Sequence, residues 1–160
     1  MPETGQRHRP DTHKNLVGFF VGGVHYAVDI SKVREIVNPL DVTALPHMPP
    51  DVAGVADHRG EVVPLIDLRV RFNVERREDG RGTKWILISV TNRVVGLVVD
   101  AVTEVFGART DDIQPTPEVG GNRDLRGISG VARHEGKLTF VLDVARFHEV
   151  VEALSASGAI

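Results

Sequence analysis

Seven histidines are the first residues in this chain that could do chemistry: His8, His13, His25, His47, His58, His134 and His148. Imidazole is a common metal ligand and proton shuttle. None of the seven falls in an H-x-x-x-H or H-E-x-x-H pattern, which would set two rings on one helix face. They read as exposed or half-buried turn histidines, and no metal is expected. Ser31, Ser89 and Ser129 lack the G-x-S-x-G elbow of a hydrolase nucleophile. The equivalent carboxylates Asp67 and Asp143 each follow an apolar run and precede a helical turn, which fits capping better than acid–base work. GRGTK (residues 80–84) lacks P-loop spacing. No cysteine is present, so disulfides, thiolate metal sites and a Cys nucleophile are excluded. The net charge of −3 supplies no field for nucleic acid or an anionic membrane. The single Trp85 and single Tyr26 lie inside apolar runs and read as core rather than as base-stacking platforms. Nothing in the chain points to catalysis or a cofactor. Elimination leaves a module that acts by contact.

The elements around these residues are short strands. LVGFFV (residues 16–21) and VHYAVDI (residues 24–30) flank Gly22-Gly23, a two-residue hairpin signal. WILISV (residues 85–90) and VVGLVV (residues 94–99) flank Thr91-Asn92-Arg93 in similar fashion. Most runs are apolar throughout, which implies strands buried on both faces. Residues 29–37 are ambiguous between a helical turn and a strand. Val144, Phe147, Val151 and Leu154, after the cap candidate Asp143, predict one C-terminal helix. Pro64 lacks an N–H and is expected at a strand edge or end. Residues 1–14, with two Pro and no periodicity, read as a disordered tail; residues 75–84 read as a charge-rich loop and residues 115–124 as a loose segment. The longest apolar run is about six residues, far short of the roughly 20 that span a bilayer, so a cytoplasmic protein without membrane insertion is expected.

A duplication organises these strands. GVADHRGEVVPLIDL (from Gly54) and GVARHEGKLTFVLDV (from Gly130) align at an offset of 76 residues, matching His58 with His134 and Asp67 with Asp143. Upstream, an offset of 69 matches Val33, Glu35 and Ile36 with Val102, Glu104 and Val105. A unit of roughly 70 residues is too small for a robust core of its own. The expectation is all-β: two similar small barrels packed together over residues 15–154, with strand exchange between them an open alternative, a short C-terminal helix, and a tail over residues 155–160.

With these phrases on the page, the chain resembles the CheW-like coupling proteins of bacterial chemotaxis-type signalling. The resemblance rests on YAVDISKVREIV (residues 26–37), VAGVADHRGEVVPLIDLRVRF (52–72), VVGLVVDAVTEVF (94–106), IQPTPEVGG (113–121) and LRGISGVARHEGKLTFVLDV (125–144), in that order. It implies two SH3-like five-stranded β-barrels and no catalytic activity. It also implies two partners, the cytoplasmic tip of a methyl-accepting receptor and the regulatory domain of a CheA-type histidine kinase. Carried over position by position, it implicates Val33 and Glu35 in the V-x-E-[IV] segment, Gly54, Arg59 and Gly60 in the G-V-x-x-x-R-G turn, and Gly96 and Val105 in the second half. The family usually reads Asn-Leu where this chain has Asp57-His58, so those two residues join the candidate contact set. This departure raises a second reading, an adaptor that binds only the kinase or only the receptor; a nucleic-acid-binding double barrel is a third. Arg59 offers a planar fork suited to a partner's carboxylate, and Asp57 beside it could instead hold it internally. Val33 and Val105 are apolar anchors if exposed and core if buried.

Overall fold

Four two-residue turns fold the strands back on themselves, and in each both residues have positive φ: Gly22-Gly23 (59° and 79°), Arg59-Gly60 (53° and 81°), Thr91-Asn92 (43° and 63°) and Glu135-Gly136 (49° and 76°). Two consecutive left-handed residues match the right-handed twist of the flanking strands. The Thr91-Asn92 hairpin is therefore tighter than the three-residue turn the sequence suggests, because Arg93 already pairs with Val90.

The computed structural model describes residues 13–74, 81–115, 127–156 and 158. Most of the expected tail, charge-rich loop and loose segment therefore lies outside the described residues. In chain order the elements are β1 (His13–Val21), β2 (Val24–Asp29), β3 (Val33–Val37), β4 (Val52–His58), β5 (Glu61–Asp67), α1 (Leu68–Arg71), β6 (Lys84–Val90), β7 (Arg93–Val99), β8 (Ala101–Arg109), β9 (Gln114–Pro115), β10 (Ile128–His134), β11 (Lys137–Leu142) and α2 (His148–Ala156). β1 begins at His13, two residues inside the stretch read as tail. The ambiguous residues 29–37 resolve into a 3-10 turn over Ile30–Lys32, capped by the Asp29 carboxylate, followed by β3.

Two sheets form, ordered β8-β1-β2-β11-β10-β9 and β3-β6-β7-β5-β4. The all-β, two-unit expectation holds, with β9 added as a two-residue edge strand. Each sheet draws on both halves of the duplication. The β1–β2 hairpin of the first half is joined by parallel pairing to β11 of the second, His25–Val28 against Thr139–Leu142. The β6–β7 hairpin of the second half is joined the same way to β5 of the first, Gly96–Val98 against Leu65–Asp67. Parallel neighbours need a long crossover connection, and the exchange supplies one.

The exchange places one shared core between the sheets. Phe19, Tyr26, Ile66, Ile86, Ile88, Leu97, Leu142 and Phe147 belong to it. Smaller clusters fill each unit: Ala56, Val63, Leu65, Trp85, Leu87 and Val94 in one, and Leu16, Ala27, Phe106, Ala132 and Val141 in the other. Along β6, Trp85 and Leu87 face their own unit, while Ile86 and Ile88 face the shared core. Strands buried on both faces lose the polar alternation of a half-exposed sheet, which accounts for the unbroken apolar runs. Trp85 and Tyr26 are buried, so neither offers a face to a base.

Pro64 departs from expectation. It lies inside β5, which is flanked by β4 and β7 rather than at a sheet edge. Its partner Val55 turns its N–H and C=O away, to Thr43. On the β7 side, pairing starts only at Leu65, so the missing N–H interrupts no ladder. Asp143 accepts from the Ala145 N–H and opens a 3-10 turn, Val144–Phe147, that runs into α2. Val144, Phe147, Val151 and Leu154 are all buried, as their spacing predicts.

Candidate functional site

Glu35 is the hub of the strongest polar cluster among the contact candidates. β3 lies antiparallel to β6, with a register shift between Val33 and Glu35. The β4–β5 turn then comes to the Glu35 side chain. His58 Nε2 lies 3.0 Å from Oε2, and Arg59 Nη2 donates to Oε1 at 3.0 Å. Both carboxylate oxygens are thus engaged, one by imidazole and one by guanidinium. Asp57 does not hold Arg59. Its Oδ1 accepts from the Gly60 N–H at 2.8 Å and closes the turn, the local capture an Asx side chain favours. The Arg59 side chain is 75% exposed and the Glu35 side chain 34%. An ion pair this open contributes under about 1 kcal/mol, so Arg59 can leave Glu35 for a partner carboxylate at little cost.

The remaining candidates sit elsewhere. Gly54 is buried with φ of 145°, and an added Cβ would stand 2.3 Å from the Thr43 carbonyl oxygen. It permits the bridge between the Thr43 segment and β4, and any side chain there would displace that backbone. Gly96 is also buried, with Leu65 Cδ2 2.5 Å from the position of a Cβ. Neither glycine can touch a partner directly. Val33 is half-buried against the shared core. Val105, on β8 of the other sheet, is 56% exposed, and its repeat equivalent Ile36 is also exposed. The structure therefore brings Glu35, Asp57, His58, Arg59 and Gly60 together and leaves Val105 as a separate apolar point.

The duplication repeats the hub. His134 Nε2 lies 2.7 Å from Glu104 Oε1, matching His58 and Glu35. Both pairs are written in the sequence as equivalent residues; that the Glu offset and the His offset carry both partners across was the signal for the pairing. Arg59 is replaced by Glu135, whose Oε1 lies 3.9 Å from the same imidazole nitrogen.

One further residue, Arg69, escaped sequence reasoning, and another, His25, is not the exposed or half-buried turn histidine expected but a buried strand residue. Arg69 is buried and pairs with Asp67, its Nε 3.0 Å from Oδ1 and its Nη2 3.1 Å from Oδ2, while Asp67 also caps α1. His25 is buried, with Nδ1 2.8 Å from Thr139 Oγ1 and Nε2 3.2 Å from Thr103 Oγ1. Burial, then the fields of His134 and Lys137, lower its proton affinity from the ordinary 6.5, against smaller opposing effects of Glu104 and Glu135. A histidine depressed in this way stays neutral in the fold and charges first in the unfolded chain. Its contribution to stability is complete above the unfolded value, about 6.5, and is lost as pH falls below it. The His25 ring resonance should titrate below 6.5, and the urea midpoint should fall between pH 7.5 and 5.5. A His25 that titrates at or above 6.5 would contradict this environment.

Two intertwined β units, with an acid–imidazole–guanidinium cluster where a hairpin turn meets β3, define a β contact module. The chain belongs to the CheW-like domain family, whose model matches residues 15–152. It is 33% identical over 138 residues to a chemotaxis protein CheW of Rhizobium meliloti, covering 86% of this chain and 89% of that one. It is 32% identical to a chemotaxis protein CheW of Helicobacter pylori, covering 81% and 78%. Among solved structures it superposes on the scaffolding protein TtCheW of Thermoanaerobacter tengcongensis with a TM-score of 0.75 at 30% identity, covering 81% of this chain and 88% of that one. Among the described residues no helix is long and apolar enough to cross a membrane.

Proposed function

We propose that this chain is a non-catalytic cytoplasmic adaptor that couples the tip of a methyl-accepting chemoreceptor to the regulatory domain of a CheA-type histidine kinase. Relatives named chemotaxis protein CheW and a neighbour described as a scaffolding protein support the reading. The observation that carries it is the Arg59 fork, held in the open at the tip of a tight turn by a single surface carboxylate. Arginine at such a position stacks, binds carboxylates in bidentate fashion and is enriched among residues that dominate interfaces. Val105, on the other sheet, supplies a second contact point of apolar character. Each interface would be of modest size, with multivalent assembly raising the effective concentration of the partners.

The His58 contact favours a second reading, an adaptor with a single partner. His58 occupies one oxygen of Glu35 and so alters the surface that the turn presents. Immobilised chain should retain a receptor-tip fragment alone, the kinase regulatory domain alone, and both together. Retention of only one of the two would establish the single-partner adaptor instead.

A further inference from the structure

We propose that Glu104, His134 and Glu135 form a site for a divalent transition-metal cation of the zinc class, at the β10–β11 turn of the second repeat. The three residues each offer one ligand atom, and these atoms lie within 4.8 Å of one another. One imidazole and two carboxylates suit a borderline dication such as Zn2+ better than Mg2+ or Ca2+, which favour oxygen alone. Ligand atoms around a tetrahedral zinc stand about 3.3 Å apart. The present separations, 2.7 Å from His134 to Glu104 and 3.9 Å from His134 to Glu135, bracket that value. The two glutamate side chains are exposed enough to make the adjustment by rotamer changes alone.

The imidazole is oriented in advance. The His134 ring stacks on Phe106 with centroids 3.8 Å apart and an interplanar angle of 13°. The stacking restrains the plane of the ring, and its Nε2 faces both carboxylates.

The first repeat supplies the internal comparison. There a guanidinium stands beside the equivalent glutamate and imidazole, and the charge is met within the chain. In the second repeat the same turn position carries a second carboxylate. Among the described residues no Lys or Arg nitrogen comes within 4.0 Å of Glu104 or Glu135. Lys137 lies across the turn in register with His134. The side-chain cation that Arg59 provides in one half is absent at the equivalent position of the other, where a dissolved dication could take its place. Three protein ligands leave a fourth position open to water or to a donor from a bound partner.

The test uses the full chain with His8→Gln and His13→Gln, which removes the two N-terminal imidazoles. Titration calorimetry with ZnCl2 at pH 7.5 should show one equivalent bound. Glu135→Arg, which writes the first-repeat arrangement into the second, and Glu104→Gln should each weaken that equivalent at least tenfold. Both variants should keep the parent's unfolding temperature in the presence of a chelator. MgCl2 should give no comparable heat. Absence of a bound equivalent, or zinc affinity unchanged in both variants, would overturn the site.

Discussion

Arg59→Glu should weaken binding to the partner that reads the β4–β5 turn by about tenfold to a hundredfold, the range expected when a central interface arginine is reversed. The unfolding temperature should move by only a few degrees. The Glu35–Arg59 pair is exposed, so its loss costs the fold under about 1 kcal/mol. The second repeat already carries the substituted pattern, glutamate after histidine with a facing glutamate, within an intact hairpin of the same turn geometry. Binding is measured by titration of each partner separately, and folding by thermal melting. A large drop in melting temperature would make Arg59 a structural residue, and unchanged binding to both partners would remove it from the contact surface.

Asp67→Ala should be strongly destabilising. The Arg69 guanidinium is buried, and Asp67 meets it with both oxygens. Removing Asp67 takes away both carboxylate oxygens that meet this buried guanidinium, and breaking a buried pair costs about 3–5 kcal/mol. Asp100, 3.8 Å from Nη1, recovers a fraction of this at most. For a chain of this length the loss corresponds to a fall of roughly 10 °C in unfolding temperature. The equivalent Asp143→Ala should cost only about 1 kcal/mol, the worth of a cap. The Asp143 side chain is 44% exposed, with Arg146 Nε 3.8 Å from its Oδ2. Equal effects at the two positions would show that the ion pair adds nothing to capping. Asp67→Ala combined with Arg69→Leu should regain part of the loss, because the buried guanidinium is removed together with the carboxylate that met it.

The contrast between Asp67 and Asp143 shows what the sequence could convey. Their shared role as caps was legible, since each follows a strand and precedes a helical turn at the same offset. The ion pair was not, because Arg69 has no equivalent in the second half, where Ala145 stands. The hairpins were legible from their turn residues, and the shared core from runs that are apolar on both faces. Sheet membership was harder to read. In a duplicated chain, a hairpin can complete its own half or the other half with the same local pattern, and only the parallel pairings of β2 with β11 and β7 with β5 reveal which. Asp57 stood nearest to Arg59 in sequence, but the turn N–H of Gly60 claims its carboxylate. Glu35, 24 residues from Arg59, takes the guanidinium instead. Gly54 and Gly96 were contact candidates through the family resemblance alone. Their burial shows that they act by letting backbone and side chains pack closely.

Autophosphorylation of a CheA-type kinase, mixed with a receptor signalling fragment and with or without this chain, tests the adaptor most directly. The kinase rate should rise when the chain is added to kinase and receptor together, and not when it is added to kinase alone. A rate that is the same with and without the chain, in a mixture where an established coupling protein raises it, would contradict the coupling role.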